Sequence, residues 1–301
     1  MQEIVVISGK GGTGKTSVLS GLAPLGPKKV LADCDVDAAD LHLIMHPSVQ
    51  KRHEFISGEL AHIDPDSCTE CGLCREYCRF DAIDGSFRVW EQSCEGCALC
   101  YHVCPSGAVW MEPRFNGYWY VSETRFGTMV HAALLPGAEN SGKLVTTVRT
   151  EAREIAQQSG IELILTDGSP GIGCPVIASL SRASLALIVA EPTLAAVSDL
   201  KRVQELTAYF GIPAGIVLNK ADINESLGEE VEAFAREKGL PLFGRIPYTE
   251  GITRAQIEGL SVTEYDPDGL GASMRSIWEG IREKLETEAP SSSGARQEPT
   301  S

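Results

Sequence analysis

Apolar residues along this chain gather into short unbroken runs that end at glycine or acidic positions. EIVVIS (Glu3–Ser8) runs straight into a glycine-rich loop. KKVLADCD (Lys28–Asp35), IELILTD (Ile161–Asp167), LALIVAEP (Leu185–Pro192) and AGIVLNK (Ala214–Lys220) repeat the form, and PLFGRIPY (Pro241–Tyr248) is a shorter late copy. A run that is apolar at every position, rather than at alternate ones, reads as a strand covered on both faces. Helical patterns fall between the runs. They are expected at about Lys15–Leu25, over TTVRTEAREIAQQSG with a stop at Gly160, at Val197–Phe210 and at Glu229–Lys238. Strands alternating with helices predict an α/β fold, a parallel sheet covered by helices on both sides.

Two stretches depart from this rhythm. After Pro65 the chain becomes cysteine-rich with short turns until about Glu112, and then the α/β texture resumes. The expected division is therefore 1–60 and 113–289 as two parts of one domain, 61–112 as a small inserted domain, and 290–301 as a polar, disordered tail. Near the end, Met274, Ile277, Trp278, Ile281 and Leu285 share one helical face. The opposite face mixes acids with bases instead of being basic, so this helix is expected to dock on the core and not on a membrane.

Composition narrows the class. The 301 residues are 43% hydrophobic and 22% charged, with a net charge of -15. That balance suits a globular protein and disfavours nucleic acid or anionic membrane as partners. No stretch approaches the ~20 apolar residues of a membrane helix, and Met1–Ile7 lacks the basic start of a secretory signal. Of the 10 cysteines, eight sit in two tight runs. Together these point to a reducing cytoplasm, where clustered cysteines bind metal.

The loop after the first strand reads Gly9-Lys10-Gly11-Gly12-Thr13-Gly14-Lys15-Thr16, followed by Ser17. It fits G-x-x-x-x-G-K-[ST] between a strand and a helix, the setting in which glycines turn backbone N–H groups toward phosphate oxygens. Lys15 is then expected at the β/γ-phosphates and the Thr16 hydroxyl on Mg²⁺. The early lysine makes KGGTGKT resemble the deviant Walker A of the MinD/ParA class, which includes the nitrogenase iron protein. The resemblance implies a nucleotide-sandwich homodimer in which Lys10 reaches the partner's phosphates. It also implies that Asp35 orients the attacking water, with Asp37 and Asp40 as open alternatives. Asp167 in ILTDGSPGIGC would hold Mg²⁺ through its water shell, with Gly171 able to approach the γ-phosphate. NKAD (Asn219, Lys220, Asp222) resembles the base-reading N-K-x-D of GTPases, whereas an Asn there contacts adenine in the MinD-like class. ATP is favoured.

The cysteine runs CTECGLCREYCRFDAI and CEGCALCYHVCPSGAV begin at Cys68 and Cys94, an offset of 94 − 68 = 26. Each reads C-x2-C-x2-C-x3-C. Zinc prefers paired C-x2-C knuckles, whereas three close thiolates plus a remote one suit a cubane. Two [4Fe–4S] clusters are therefore expected. The runs resemble a bacterial two-cluster ferredoxin, which implies that Cys68, Cys71, Cys74 and Cys104 hold one cluster and Cys94, Cys97, Cys100 and Cys78 the other. Cys34 and Cys174 stand alone and are read as packing thiols. Cys174 also resembles the switch II cysteine of the nitrogenase iron protein, although no cysteine lies between Cys104 and Cys174 to serve as a second bridging ligand.

The whole chain except its tail resembles the MinD-superfamily P-loop ATPases with an inserted ferredoxin domain. That implies a Mg-dependent ATPase, a homodimer or a heterodimer with a related ATPase, whose cycle couples to electron transfer through the clusters to an unidentified redox partner. The alternatives are a positioning or interaction switch with a redox-sensing ferredoxin module, and an Fe–S cluster scaffold or carrier.

Overall fold

The computed structural model describes residues 1–138 and 141–288. The expected tail at 290–301 lies outside the described residues. Among the described residues nine strands form one sheet: β1 Gln2–Ser8, β2 Val30–Asp33, β3 Ser48–Ile63, β4 Val109–Thr124, β5 Gly127–Leu134, β6 Leu163–Pro170, β7 Leu185–Ala190, β8 Ala214–Asn219 and β9 Leu242–Ile246. Their order across the sheet is β3-β4-β5-β2-β6-β1-β7-β8-β9. Every pair from β5 to β9 is parallel, while β3–β4 and β4–β5 are antiparallel.

Among the described residues eleven α-helices accompany the sheet: α1 Lys15–Leu22, α2 Leu41–Met45, α3 Leu73–Glu76, α4 Leu99–Val103, α5 Ser141–Ser159, α6 Cys174–Leu180, α7 Leu194–Tyr209, α8 Glu225–Lys238, α9 Glu250–Ile257, α10 Val262–Tyr265 and α11 Leu270–Glu288. Alternation along the parallel strands divides the core between the two faces. Ile4, Val6, Leu165, Leu187 and Val217 pack with α1 and with Met274, Ile277, Ile281 and Leu285 of α11. Val5, Ile7, Ile188 and Ile216 face Val176, Leu200 and Val231 on the other side. A third cluster joins Val30, Ala32 and Val130 to Leu144, Val145 and Val148 of α5. The last helix thus docks on the core, as its apolar face required.

The sequence missed the antiparallel side of the sheet. Strands β3 and β4 form one hairpin ladder running from Ser48↔Glu123 to Ile63↔Val109, and β5 pairs with only its proximal half, ending at Gly117↔Leu134. The distal half is a two-stranded arm, and residues 64–108, with all eight clustered cysteines, lie at its tip. The ladder therefore extends on both sides of the boundaries at 60 and 112. The strand expected at Lys28–Asp35 is shorter, so Asp35 sits in the loop beyond β2 instead of at its end.

The cysteine segment repeats in its backbone as well as its sequence. Helix α3 begins at Leu73 and α4 at Leu99, the same offset of 26. Positive φ recurs at Glu70 and Gly96, Gly72 and Ala98, and Asp81 and Gly107. Each half thus turns through the left-handed region at the same three points. Gly96 presses against the arm, where a Cβ would lie 2.3 Å from the Glu59 carbonyl oxygen.

Candidate functional site

Helix α1 starts at the carboxyl edge of the sheet, directly after the glycine loop, and Gly12 and Gly14 take φ of 81 and 94°. A side chain at Gly14 would also strike the Asn219 amide, 2.2 Å from its Cβ position. These glycines leave a cavity of about 460 Å³. Gly11, Gly12, Thr13, Gly14, Lys15, Thr16 and Ser17 line one side, with Asp35, Asp40, Asn219 and Lys220 around them. Gly9 lies behind the loop, packed on Asp199. Gly171 donates its backbone N–H to the Ser8 carbonyl oxygen at 2.8 Å, which ties the loop after β6 to the foot of the phosphate loop.

Charge is concentrated at the floor. Lys15 Nζ stands 2.9 Å from Asp35 Oδ2 and 3.7 Å from Asp167 Oδ1. Burial opposes the ammonium charge, but Asp167 and Asp35 outweigh it and hold Lys15 protonated well above the ordinary lysine range. Asp167 is fully buried, and burial raises its carboxyl to about 6 against the pull of Lys15 and Thr16. The Thr16 hydroxyl has one proton and two acceptors, Asp167 Oδ2 at 2.7 Å and Asp40 Oδ1 at 3.0 Å. Asp33, at the end of β2, is also pushed up, by burial and then by Asp167. Thr13 Oγ1, Asp167 Oδ1 and Asn219 Oδ1 are buried without a hydrogen-bond partner. A cluster of carboxylates and one hydroxyl around a lysine fits a hard divalent cation bound together with phosphate.

Several of the expected site residues also make contacts that no motif foretells. Lys10 is nearly half exposed and folds back on Glu191 Oε1 at 3.3 Å, while Lys220 takes Glu191 Oε2 at 2.7 Å. Asn219 Nδ2 donates to the Thr13 carbonyl oxygen at 2.8 Å and Lys220 Nζ to that of Gly12 at 2.9 Å, so both brace the loop. Asp222 Oδ1 accepts from the Tyr248 backbone N–H at 2.6 Å and positions the segment Tyr248–Thr249 on the cavity wall. Sequence reasoning missed Glu191, Tyr248 and Gln256, whose side chain donates to Ser17 Oγ at 3.0 Å. No motif marks them, because Glu191 and Tyr248 lie just past the ends of β7 and β9 and Gln256 lies on α9, and they meet the loop only in space.

The eight clustered cysteines fall into two groups. Burial raises the Cys74 thiol, and the nearby sulfurs of Cys68, Cys104 and Cys71 add to it. Burial pushes Cys100 up to about 11, with Cys94 and Cys97 contributing. Cys78, Cys94, Cys97 and Cys100 line one small apolar pocket together with Ala61, Phe80, Ala82 and Met111. At Cys104 the slight burial is outweighed by hydrogen bonds from Ser106, Ala108 and Val109, which lower its thiol. Among the described residues, no group of three or more His, Cys, Asp or Glu is arranged to hold a metal ion. Cys34 is buried, as expected. Cys174 is a correction: it is exposed, not packed, because it is the first residue of α6 at the carboxyl edge. Its neighbour there is Gly142, whose Cβ position is 3.4 Å from Cys174 Cβ.

No helix among the described residues is long and apolar enough to cross a membrane. A family model described as the CobQ/CobB/MinD/ParA nucleotide binding domain matches residues 4–262. An uncharacterized protein of Methanocaldococcus jannaschii is 37% identical over 227 residues, 74% of this chain and 80% of its own length. An uncharacterized ATP-binding protein of the same archaeon is 22% identical over 276 residues, 89% and 83% of the two chains. The structure of the septum site-determining protein MinD from Pyrococcus horikoshii, complexed with Mg-ADP, has a similar fold. It covers 96% of this chain and 99% of that one, with a TM-score of 0.59 at 19% identity. Sheet order, phosphate loop and family match converge, and the chain belongs to the CobQ/CobB/MinD/ParA nucleotide-binding family.

Proposed function

We propose that this protein is a MinD/ParA-like ATPase that acts as a nucleotide-driven dimerising switch, with its cysteine segment as a redox-sensing module for two [4Fe–4S] clusters. The observation that carries the ATPase reading is the Lys15–Asp35–Asp167–Thr16 constellation at the floor of a cavity of about 460 Å³ lined by the glycine loop. Lys15 and the loop N–H groups would hold the β- and γ-phosphates. The Thr16 hydroxyl and Asp167 would hold Mg²⁺, which neutralises phosphate charge when bound. Asp35 would orient the attacking water once Lys15 turns from it to phosphate. Lys10 would leave Glu191 for the phosphates of a second copy or of a related ATPase. ATP is favoured over GTP because Asp222, the residue that would read guanine, is committed to the Tyr248 backbone.

The cluster reading rests on the donor set. The repeated backbone, the neighbouring sulfurs of Cys68, Cys71, Cys74 and Cys104, and the pocket lined by Cys78, Cys94, Cys97 and Cys100 support two crosswise sites. Each cluster would supply a one-electron couple. The family match weighs toward an interaction switch over ATP-gated electron transfer to a redox partner, the reading that the sequence placed first. The acidic chain fits a cytoplasmic protein partner better than nucleic acid.

The test is Mg-dependent hydrolysis of ATP and GTP by anaerobically purified protein, alongside Asp35→Asn. ATP turnover that exceeds GTP turnover and falls at least about 100-fold in the variant is expected. Absence of nucleotide binding would overturn the ATPase reading. Protein that carries zinc, with no iron or sulfide, would overturn the cluster reading.

A further inference from the structure

The cysteine module sits on an arm whose bend shares an apolar cluster with the nucleotide site's own loop. Register shifts between Phe55 and Ile56 and between Ile56 and Glu59 place two bulges where β5 stops supporting the hairpin. Asn116 is the extra residue on one strand, since Phe55 pairs with Gly117 and Ile56 with Phe115. On the other strand Ser57 and Gly58 together stand opposite Arg114, one residue too many. The Asn116 amide donates to the Ser57 carbonyl oxygen and so staples the two bulges together. Bulges bend a ladder and interrupt its hydrogen bonding, so the arm has a defined hinge.

The hinge connects to the phosphate site in three steps. Asp35 is held by Lys15 at 2.9 Å. The next residue, Val36, accepts from Leu134 N–H at 3.3 Å, and Leu135 N–H donates to the Asn116 carbonyl oxygen at 2.8 Å. Val36 and Phe55 also belong to one buried apolar cluster with Ala132. The root of the arm is clamped separately, because Arg125 grips Glu264 through two bonds of 2.8 and 2.7 Å and the Ile44 carbonyl oxygen at 2.8 Å. A movement about the bulges would therefore fall on the distal half. Ser57 Oγ and Asn116 Oδ1 are both buried and unpartnered, which makes the observed pose of the hinge a costly one.

Phosphate would compete with Asp35 for Lys15, so occupancy would free the residue beside Val36 while Arg125 holds the root. We propose that the Asn116–Ser57 hinge transmits the state of the phosphate site to the pose of the cysteine module. The inference rests on the ATPase reading above and adds how the site and the module communicate.

The test is amide hydrogen exchange on the full chain, purified anaerobically, with and without Mg²⁺ and a non-hydrolysable ATP analogue whose binding is measured in parallel. Exchange at residues 56–60 and 115–117 is expected to change at least about 5-fold on binding, the lower end of ordinary coupling. Asn116→Ala should retain analogue binding and reduce that change below about 2-fold. Binding with no change at these amides in the native protein overturns the hinge and leaves the ATPase reading standing. A full nucleotide response in Asn116→Ala also overturns it. No analogue binding at all removes the ATPase reading and the hinge with it. The native comparison decides the matter even where the variant does not fold.

Discussion

Lys10, in the phosphate loop, and Lys220, after β8, close on the same carboxylate, Glu191, at 3.3 and 2.7 Å. Burial alone would raise the Glu191 carboxyl, but the two ammonium groups hold it below its usual range. Lys220 also holds the loop through Gly12, whereas Lys10 has no second hold of that kind among the contacts described and is the more exposed of the two. In the proposed cycle Lys10 is the lysine that leaves. Lys10→Ala should keep analogue affinity within about 3-fold and abolish nucleotide-dependent dimerisation, since its target lies on the partner's phosphates. Light scattering with the Mg²⁺-bound analogue checks this.

Asp167 carries a pH signature. Its folded carboxyl titrates near 6, above the ordinary 3.8 of the unfolded chain, so it favours folding below pH 4 and loses that contribution as pH rises through 6. The difference of about 2 units is on the order of 3 kcal/mol, an upper bound for so crowded a site. Asp167→Asn should therefore raise the stability of nucleotide-free protein at pH 7.5, with the gain shrinking toward pH 4, while Mg-dependent hydrolysis is lost. Denaturant unfolding at the two pH values measures the first effect.

Glu3 is an acid inside the sheet, on a strand that otherwise reads as apolar. Its carboxylate takes Arg149 Nε at 2.7 Å and Arg153 Nη2 at 2.6 Å, plus the Thr166 hydroxyl at 3.0 Å, and so fastens β1 to α5. Arg149 is 3% exposed. Glu3→Ala would leave that guanidinium buried and uncompensated, at a cost of about 3–5 kcal/mol. Arg153→Ala should cost less because that side chain reaches solvent. Urea titrations of the two variants give the comparison.

The fold was legible where burial is two-sided and obscure where it is not. Strands β7 and β8 are apolar at nearly every position, and β1 and β6 carry the unbroken runs Ile4–Ile7 and Leu163–Leu165, because helices cover both faces. Strand β3 is the sheet edge, with Ser48–Glu54 exposed throughout, and its sequence carries no apolar run to find. Pro113 and the Asn116 bulge likewise break the period of β4. At the site, the residues joined by a local motif, Gly9 to Ser17, were readable. Glu191, Tyr248 and Gln256 were not, because each meets the loop only after the sheet has assembled. The bond from the Tyr248 backbone to Asp222 was hidden for a related reason: the motif around Asp222 says nothing of Tyr248, which lies on another loop.

The crosswise cysteine assignment separates two single variants. Cys104→Ser should cost the cluster of Cys68, Cys71 and Cys74, and Cys78→Ser that of Cys94, Cys97 and Cys100. Each should lose about half the iron, with different EPR signals surviving. Loss of the same signal in both variants would exclude the crossing. Iron and sulfide analysis with low-temperature EPR on reduced samples reads the outcome.

The central claim is that nucleotide drives association, and sedimentation velocity under anaerobic conditions tests it most directly. The native chain should sediment as a monomer alone and with MgADP, and as a dimer with Mg²⁺ and the non-hydrolysable analogue. A species whose mass is unchanged by nucleotide, in protein that demonstrably binds the analogue, would contradict the account.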